Sequence, residues 1–90
     1  MGNIMNLQKD IDEAIAVCEE YGFTKASPRN LSFSDPQIYL FDAKGFRGSL
    51  QWSPSQKTWL AFAPGHTTTR VANVREGLKF VQEHMSTYRR

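Results

Sequence analysis

The sequence predicts an α+β domain: a two-layer α-β-β-β-α sandwich in which one helix at each end of the chain covers the same face of a three-stranded antiparallel meander. Three observations lead there. Apolar residues recur at helical spacing from Leu7 to Tyr21 and again from Val71 onward. Between these stretches lie three β-prone runs, and short turn sequences, Asp42-Ala43-Lys44-Gly45 and Ser53-Pro54-Ser55-Gln56, separate them. Ninety residues make one domain, 1–90. A chain of that size buries about 60–65% of its unfolded surface, enough for one core between two layers.

The first helix has Leu7, Ile11, Ala14, Ile15 and Cys18 on one face, with Asn6 placed to cap its start and Asp10, Asp12 and Glu13 toward the N-terminal end, where the helix dipole favours acids. Gly22 suits the left-handed position that ends a helix, and Phe23 then packs back on Cys18 in a Schellman stop. Residues 24–36 carry Ser27-Pro28, Asn30 and Asp35-Pro36 and read as a loop, with Leu31 and Phe33 alternating as a short edge strand.

The turns fix the faces of the three strands. A bulged turn ending at Gly45 sets Asp42 opposite Phe46, Leu40 opposite Gly48 and Ile38 opposite Leu50. A second three-residue closure sets Leu50 opposite Leu60, Gly48 opposite Phe62 and Gln51 opposite Trp59. One face then collects Ile38, Leu40, Phe46, Leu50, Trp52, Leu60 and Phe62 as core. The other collects Tyr39, Phe41, Arg47, Ser49, Gln51, Trp59, Ala61 and Ala63.

The last helix has an apolar stripe through Val71, Val74, Leu78, Val81, Met85 and Tyr88. Either Thr69 caps it, or Asn73 does so with Glu76 in a capping box that leaves residues 67–72 as a fourth short strand; the earlier start is preferred because it uses Val71. Too few heptads are present for a coiled coil, so the stripe packs on the sheet. Two helices side by side span about 20 Å and roof a sheet of roughly 23 by 14 Å. Placing one helix on each face instead would bury Arg47, Ser49 and Gln51 without partners.

Charge and motifs bound the function. The net charge is +2, the hydrophobic fraction 40% and the charged fraction 22%, an ordinary globular composition with no apolar run of membrane-spanning length. The single cysteine, Cys18, excludes an internal disulfide. With no signal peptide in view, and with Asn6 where a myristoylation site needs Ser or Thr, a cytoplasmic location without membrane attachment is expected. No P-loop, paired-glycine dinucleotide motif or metal-ligand spacing occurs; no cofactor and no metal are expected, and Cys18 reads as buried and inert. Asp35, Asp42 and His66 are the remaining acid-base candidates, and nothing in their spacing brings them together.

A non-enzymatic interaction protein is therefore expected, an accessory or inhibitory factor whose exposed sheet face binds a protein partner or a second copy of itself. Its contact residues are Tyr39, Phe41, Arg47, Gln51, Lys57 and Trp59, because rings and arginine favour protein interfaces. The alternative is a nucleic-acid-binding module, single-stranded or RNA, using the same rings with Arg47 and Lys57. The plainer reading is that these rings only stabilise a half-wet sheet. Gly65-His66-Thr67-Thr68-Thr69-Arg70 adds a candidate anion site at Thr68, Thr69 and Arg70, if a helix starts there. The order helix, three strands, helix is similar to that of double-stranded RNA-binding domains. Where that family has a lysine cluster at the start of its second helix, this chain has the Gly65 to Arg70 segment, so none of the family's functional residues is carried over.

Overall fold

Turn length and one extra residue decide which way each strand faces. In the computed structural model, which describes residues 2–31 and 34–88, with side chains from 7 to 31 and from 34 to 84, both helices do lie on one face of an antiparallel meander. The sheet has five strands rather than three: β1 (Lys25–Arg29), β2 (Gln37–Asp42), β3 (Gly45–Ser53), β4 (Thr58–Phe62) and β5 (Thr69–Val71), paired in chain order. The two outer strands remove the likeness in element order to double-stranded RNA-binding domains.

Helix α1 (Gly2–Val17) starts ahead of Asn6, which lies inside it rather than capping it. A 3₁₀ turn, Cys18–Tyr21, follows and ends in the expected Schellman geometry. Gly22 takes φ 91°, its N–H donates to Glu19 O, and the Phe23 N–H donates to Cys18 O, both at 3.1 Å. Ile11, Ala14, Val17, Cys18 and Phe23 join the core, while Ile15 is exposed because the stripe passes through Val17 instead.

The segment read as a loop contains β1. Lys25-Ala26-Ser27-Pro28-Arg29 pairs antiparallel with β2, with Ala26 opposite Leu40 on the helix side. Pro28 is tolerated because β1 is an edge strand. Of the edge strand expected at Leu31 and Phe33, Leu31 sits in a turn and Phe33 lies outside the described residues.

Two register shifts reorganise the faces. Leu40 faces Gly48 and Ile38 faces Leu50 as expected, but Phe41 pairs with Phe46 and Asp42 with Gly45, leaving Arg47 as a bulge residue. The bulge turns Phe46 away from the helices. The β3–β4 connection holds four residues, Pro54 to Lys57, one more than a three-residue closure; Lys57 adopts φ 56° and its N–H donates to Ser53 O at 2.7 Å. Leu50 therefore faces Ala61, and Trp52 faces Trp59. A one-residue slip inverts every side chain of β4, so Trp59, Ala61 and Ala63 turn inward, while Leu60 and Phe62 turn outward.

The later of the two helix starts is the one found. Residues 69–71 form β5, and Val71 reaches the core from that strand rather than from a helix. Helix α2 (Val74–Tyr88) is capped by Asn73, whose Oδ1 accepts the Glu76 N–H at 2.9 Å, while Glu76 Oε1 accepts the Ala72 N–H at 2.9 Å. Val74, Leu78 and Val81 are fully buried; the side chains of Met85 and Tyr88 lie outside those described. On the surface, Arg75 Nε donates to Glu13 Oε2 at 2.7 Å and its Nη1 to Glu20 Oε1 at 3.3 Å, bridging α2 to α1 and the 3₁₀ turn. Asn73→Ala is expected to cost about 1 kcal/mol in urea unfolding, and Asn73→Ser little. A helix starting at Thr69 would leave Asn73→Ala neutral.

Candidate functional site

Both helices occupy the Ile38 side, so among the described residues no element covers the opposite side of the sheet, and its residues follow from the observed registers. Directly opposed residues on neighbouring strands share a face. That face carries Lys25, Ser27 and Arg29 from β1, Gln37, Tyr39 and Phe41 from β2, Phe46, Ser49 and Gln51 from β3, Leu60 and Phe62 from β4, and Arg70 opposite Leu60 on β5. A cleft of about 310 Å³ opens in its middle, lined by Gln37, Tyr39, Phe46, Ser49, Gln51, Leu60, Phe62 and Thr68.

Phe46 is the hub of the rings. It meets Tyr39 edge to face at 5.6 Å between centroids and Phe41 at 6.0 Å, and lies 6.5 Å from Phe62 with 28° between the ring planes. Phe46 and Phe62 remain 42% and 37% exposed, so their surfaces are available to a ligand. Arg29 lies over the Tyr39 ring at 5.1 Å and Lys25 over Phe41 at 5.6 Å. Such cation-π contacts hold two positive charges against the rim of the cleft without neutralising them.

The residues expected at the contact surface divide. Tyr39, Phe41 and Gln51 are on the open face; Gln51 Nε2 reaches Asp35 Oδ2 at 3.5 Å. Arg47 is largely covered at the bulge, with Nε 3.2 Å from Asp42 Oδ2 in an ion pair that lacks hydrogen-bond geometry. Lys57 is exposed in the β3–β4 turn. Trp59 lies elsewhere: it is 2% exposed on the helix side, where its Nε1–H donates to Asp10 Oδ2 of α1 at 2.9 Å.

The expected anion site loses its premise, since the helix begins at Val74 and its first turn is already capped. Thr69 Oγ1 donates to Thr67 O, Thr68 lines the cleft, and Arg70 stands on the open face. Phe46, Leu60, Phe62, Lys25 and Arg29 were not expected here. The alternation of Lys25, Ser27 and Arg29 around Ala26 was the available signal for β1.

The acid-base candidates engage separate partners: Asp35 takes Gln51, Asp42 takes Arg47, and the His66 ring packs at 4.4 Å against His84 of α2. His84 Nδ1 lies 2.8 Å from Phe80 O. Burial pushes the Cys18 thiol above its ordinary pKa, with the neighbouring Glu19 charge adding to it, so the reactive thiolate is disfavoured. Among the described residues no three His, Cys, Asp or Glu side chains converge as metal ligands, and no helix is long and apolar enough to cross a membrane.

A two-layer α+β domain with a bare, ring-lined sheet face is the class these features define. No family model, curated protein or solved structure matches the chain.

Proposed function

We propose that this protein is a small non-enzymatic interaction module, an accessory or inhibitory factor that docks a macromolecular partner on its open sheet face. The observation that supports it is the Tyr39-Phe41-Phe46-Phe62 cluster, left uncovered on the side that neither helix reaches. Contiguous apolar surface of this kind marks interaction sites. Rigid rings also supply contact area at low entropic cost.

The charges on this face argue about the partner. Lys25, Arg29 and Arg70 flank the rings, and the only acid among the described strand residues, Asp42, is held by Arg47. Packing two open faces across a two-fold axis brings these cations toward their own copies, which weighs against self-association. The partner presents negative charge together with apolar or planar groups.

A photo-crosslinking residue at Phe62 is expected to capture a macromolecule in the source cell, whereas the same residue at the exposed Ala16 of α1 captures at least tenfold less. Equal capture from the two positions overturns the assignment of the face.

A further inference from the structure

We infer that the partner of the open face is a single-stranded nucleic acid; this rests on the proposed function and names its ligand. The first observation is a separation of charge that the net value of +2 conceals. Asp10, Asp12, Glu13, Glu19, Glu20, Glu76 and Glu83 belong to the helical layer, where they outnumber Lys9, Arg75 and Lys79. Lys25, Arg29 and Arg70 instead stand on the open sheet face, with Arg47 paired to Asp42 and the Asp35 carboxylate taken by Gln51. The sheet layer thus turns a positive surface outward and the helices carry the compensating acids, so an approaching polyanion is steered to one side of the molecule.

The second observation is the composition of the cleft between those cations. Its lining combines three rings, Tyr39, Phe46 and Phe62, with neutral hydrogen-bonding groups, Gln37, Gln51, Ser49 and Thr68. An unpaired base needs both: a ring for its face, and amides or hydroxyls for its edge. Arg29 and Arg70 stand on the two outer strands, about 19 Å apart across four strand spacings. A strand laid across the sheet places phosphates at both rims while its bases reach the middle.

An acidic peptide satisfies the rims but not the centre. Its extended backbone seeks a sheet edge; the β1 edge carries Pro28, which has no N–H to offer, and the β5 edge is only three residues long. A duplex satisfies the charge but keeps its base faces stacked away from the rings. Only an unpaired strand matches rims and centre together.

The test is fluorescence anisotropy with a labelled twelve-nucleotide mixed-sequence strand, as RNA and as DNA, against the matching duplex. Binding of at least one single strand is expected, tighter than the duplex by tenfold or more. Neutralising about three phosphates gives a log-log salt slope near −2, so affinity falls about 20-fold between 50 and 200 mM salt. Arg29→Gln combined with Arg70→Gln is expected to bring the slope to about −0.7. Phe62→Ser, a change at an exposed position, weakens binding about tenfold with the slope unchanged.

No binding of either strand at 50 mM salt and 100 µM protein overturns the inference, as does equal affinity for duplex or indifference to both variants. If the Phe62 crosslinker still captures material that protease digests and nuclease does not, the open face binds an acidic protein, and the nucleic-acid assignment alone falls. If Phe62 captures nothing, the proposed function falls with it.

Discussion

Trp59→Ala is expected to destabilise the protein by about 4 kcal/mol, a large part of what a domain of this size possesses. The side chain is 2% exposed, belongs to the core cluster, and meets Trp52 edge to face at 5.6 Å between ring centroids. Its removal opens a cavity where β4 meets α1 and strips the Asp10 carboxylate of its indole donor. Trp59→Phe largely separates the two effects, since it keeps most of the ring volume while losing the hydrogen bond and a small part of the packing, at a cost of about 1.5 kcal/mol. Urea denaturation followed by circular dichroism measures both, and a double-mutant cycle with Asp10→Asn isolates the coupling between α1 and β4. A Trp59→Ala cost below about 1 kcal/mol would sink the assignment of Trp59 to the helix side. For the same reason Trp59→Ala cannot report on partner binding; Phe46 and Phe62 are the rings to vary.

The placement of Trp59 shows where sequence reasoning reached and where it stopped. Helical stripes, the Gly22 stop and both hairpins were legible because each depends on residues a few positions apart: a period, a left-handed glycine, a turn sequence. The shared face of the two helices was legible too, because Arg47, Ser49 and Gln51 fit poorly beneath a helix; Ser49 and Gln51 do stand on the open face, and Arg47 lies at the bulge. The assignment of individual rings was not. It depends on counting residues through a turn and through a bulge, and an error of one in either inverts a whole strand. The bulge at Arg47 and the four-residue β3–β4 turn each shift the count by one, so Trp59 faces the helices in place of Leu60 and Phe62, and Phe46 lies on the open face.

The site survived that inversion because the apolar residues alternate on both faces of β4: when Trp59 and Ala61 turn inward, Leu60 and Phe62 take the outer positions. The cations of the site were hidden for a different reason. Pro28 makes residues 25–29 read as a loop, and only pairing with β2 reveals that Lys25 and Arg29 share a face with Phe41 and Tyr39. The alternation over residues 25–29 signals a strand, but which strand it pairs with is a tertiary property that no local pattern encodes.

Gly48→Ala is expected to cost about 3 kcal/mol, and it links the core to the open face. A Cβ at this position would collide with the backbone oxygen of Phe62 and lie 2.8 Å from Val81 Cγ1. The oxygen belongs to the neighbouring strand, so relief requires β3 and β4 to part, and the Val81 contact requires α2 to give as well. Gly77→Ala provides the control. Its Cβ would meet Leu50 Cδ2 at 2.5 Å, the end of a core side chain that must repack rather than a fixed backbone atom, and alanine in a helix regains about 1 kcal/mol over glycine. Its net cost is expected to stay near 1 kcal/mol, well below that of Gly48→Ala in parallel urea titrations. Because the obstructed atom at Gly48 is the carbonyl of Phe62 itself, strain there displaces the residue whose ring stands in the cleft. Gly48→Ala should therefore weaken single-strand binding even at temperatures where the variant remains folded, whereas Gly77→Ala should not. Equal stability of Gly48→Ala and the parent protein would show that the two strands do not approach as closely as this packing requires.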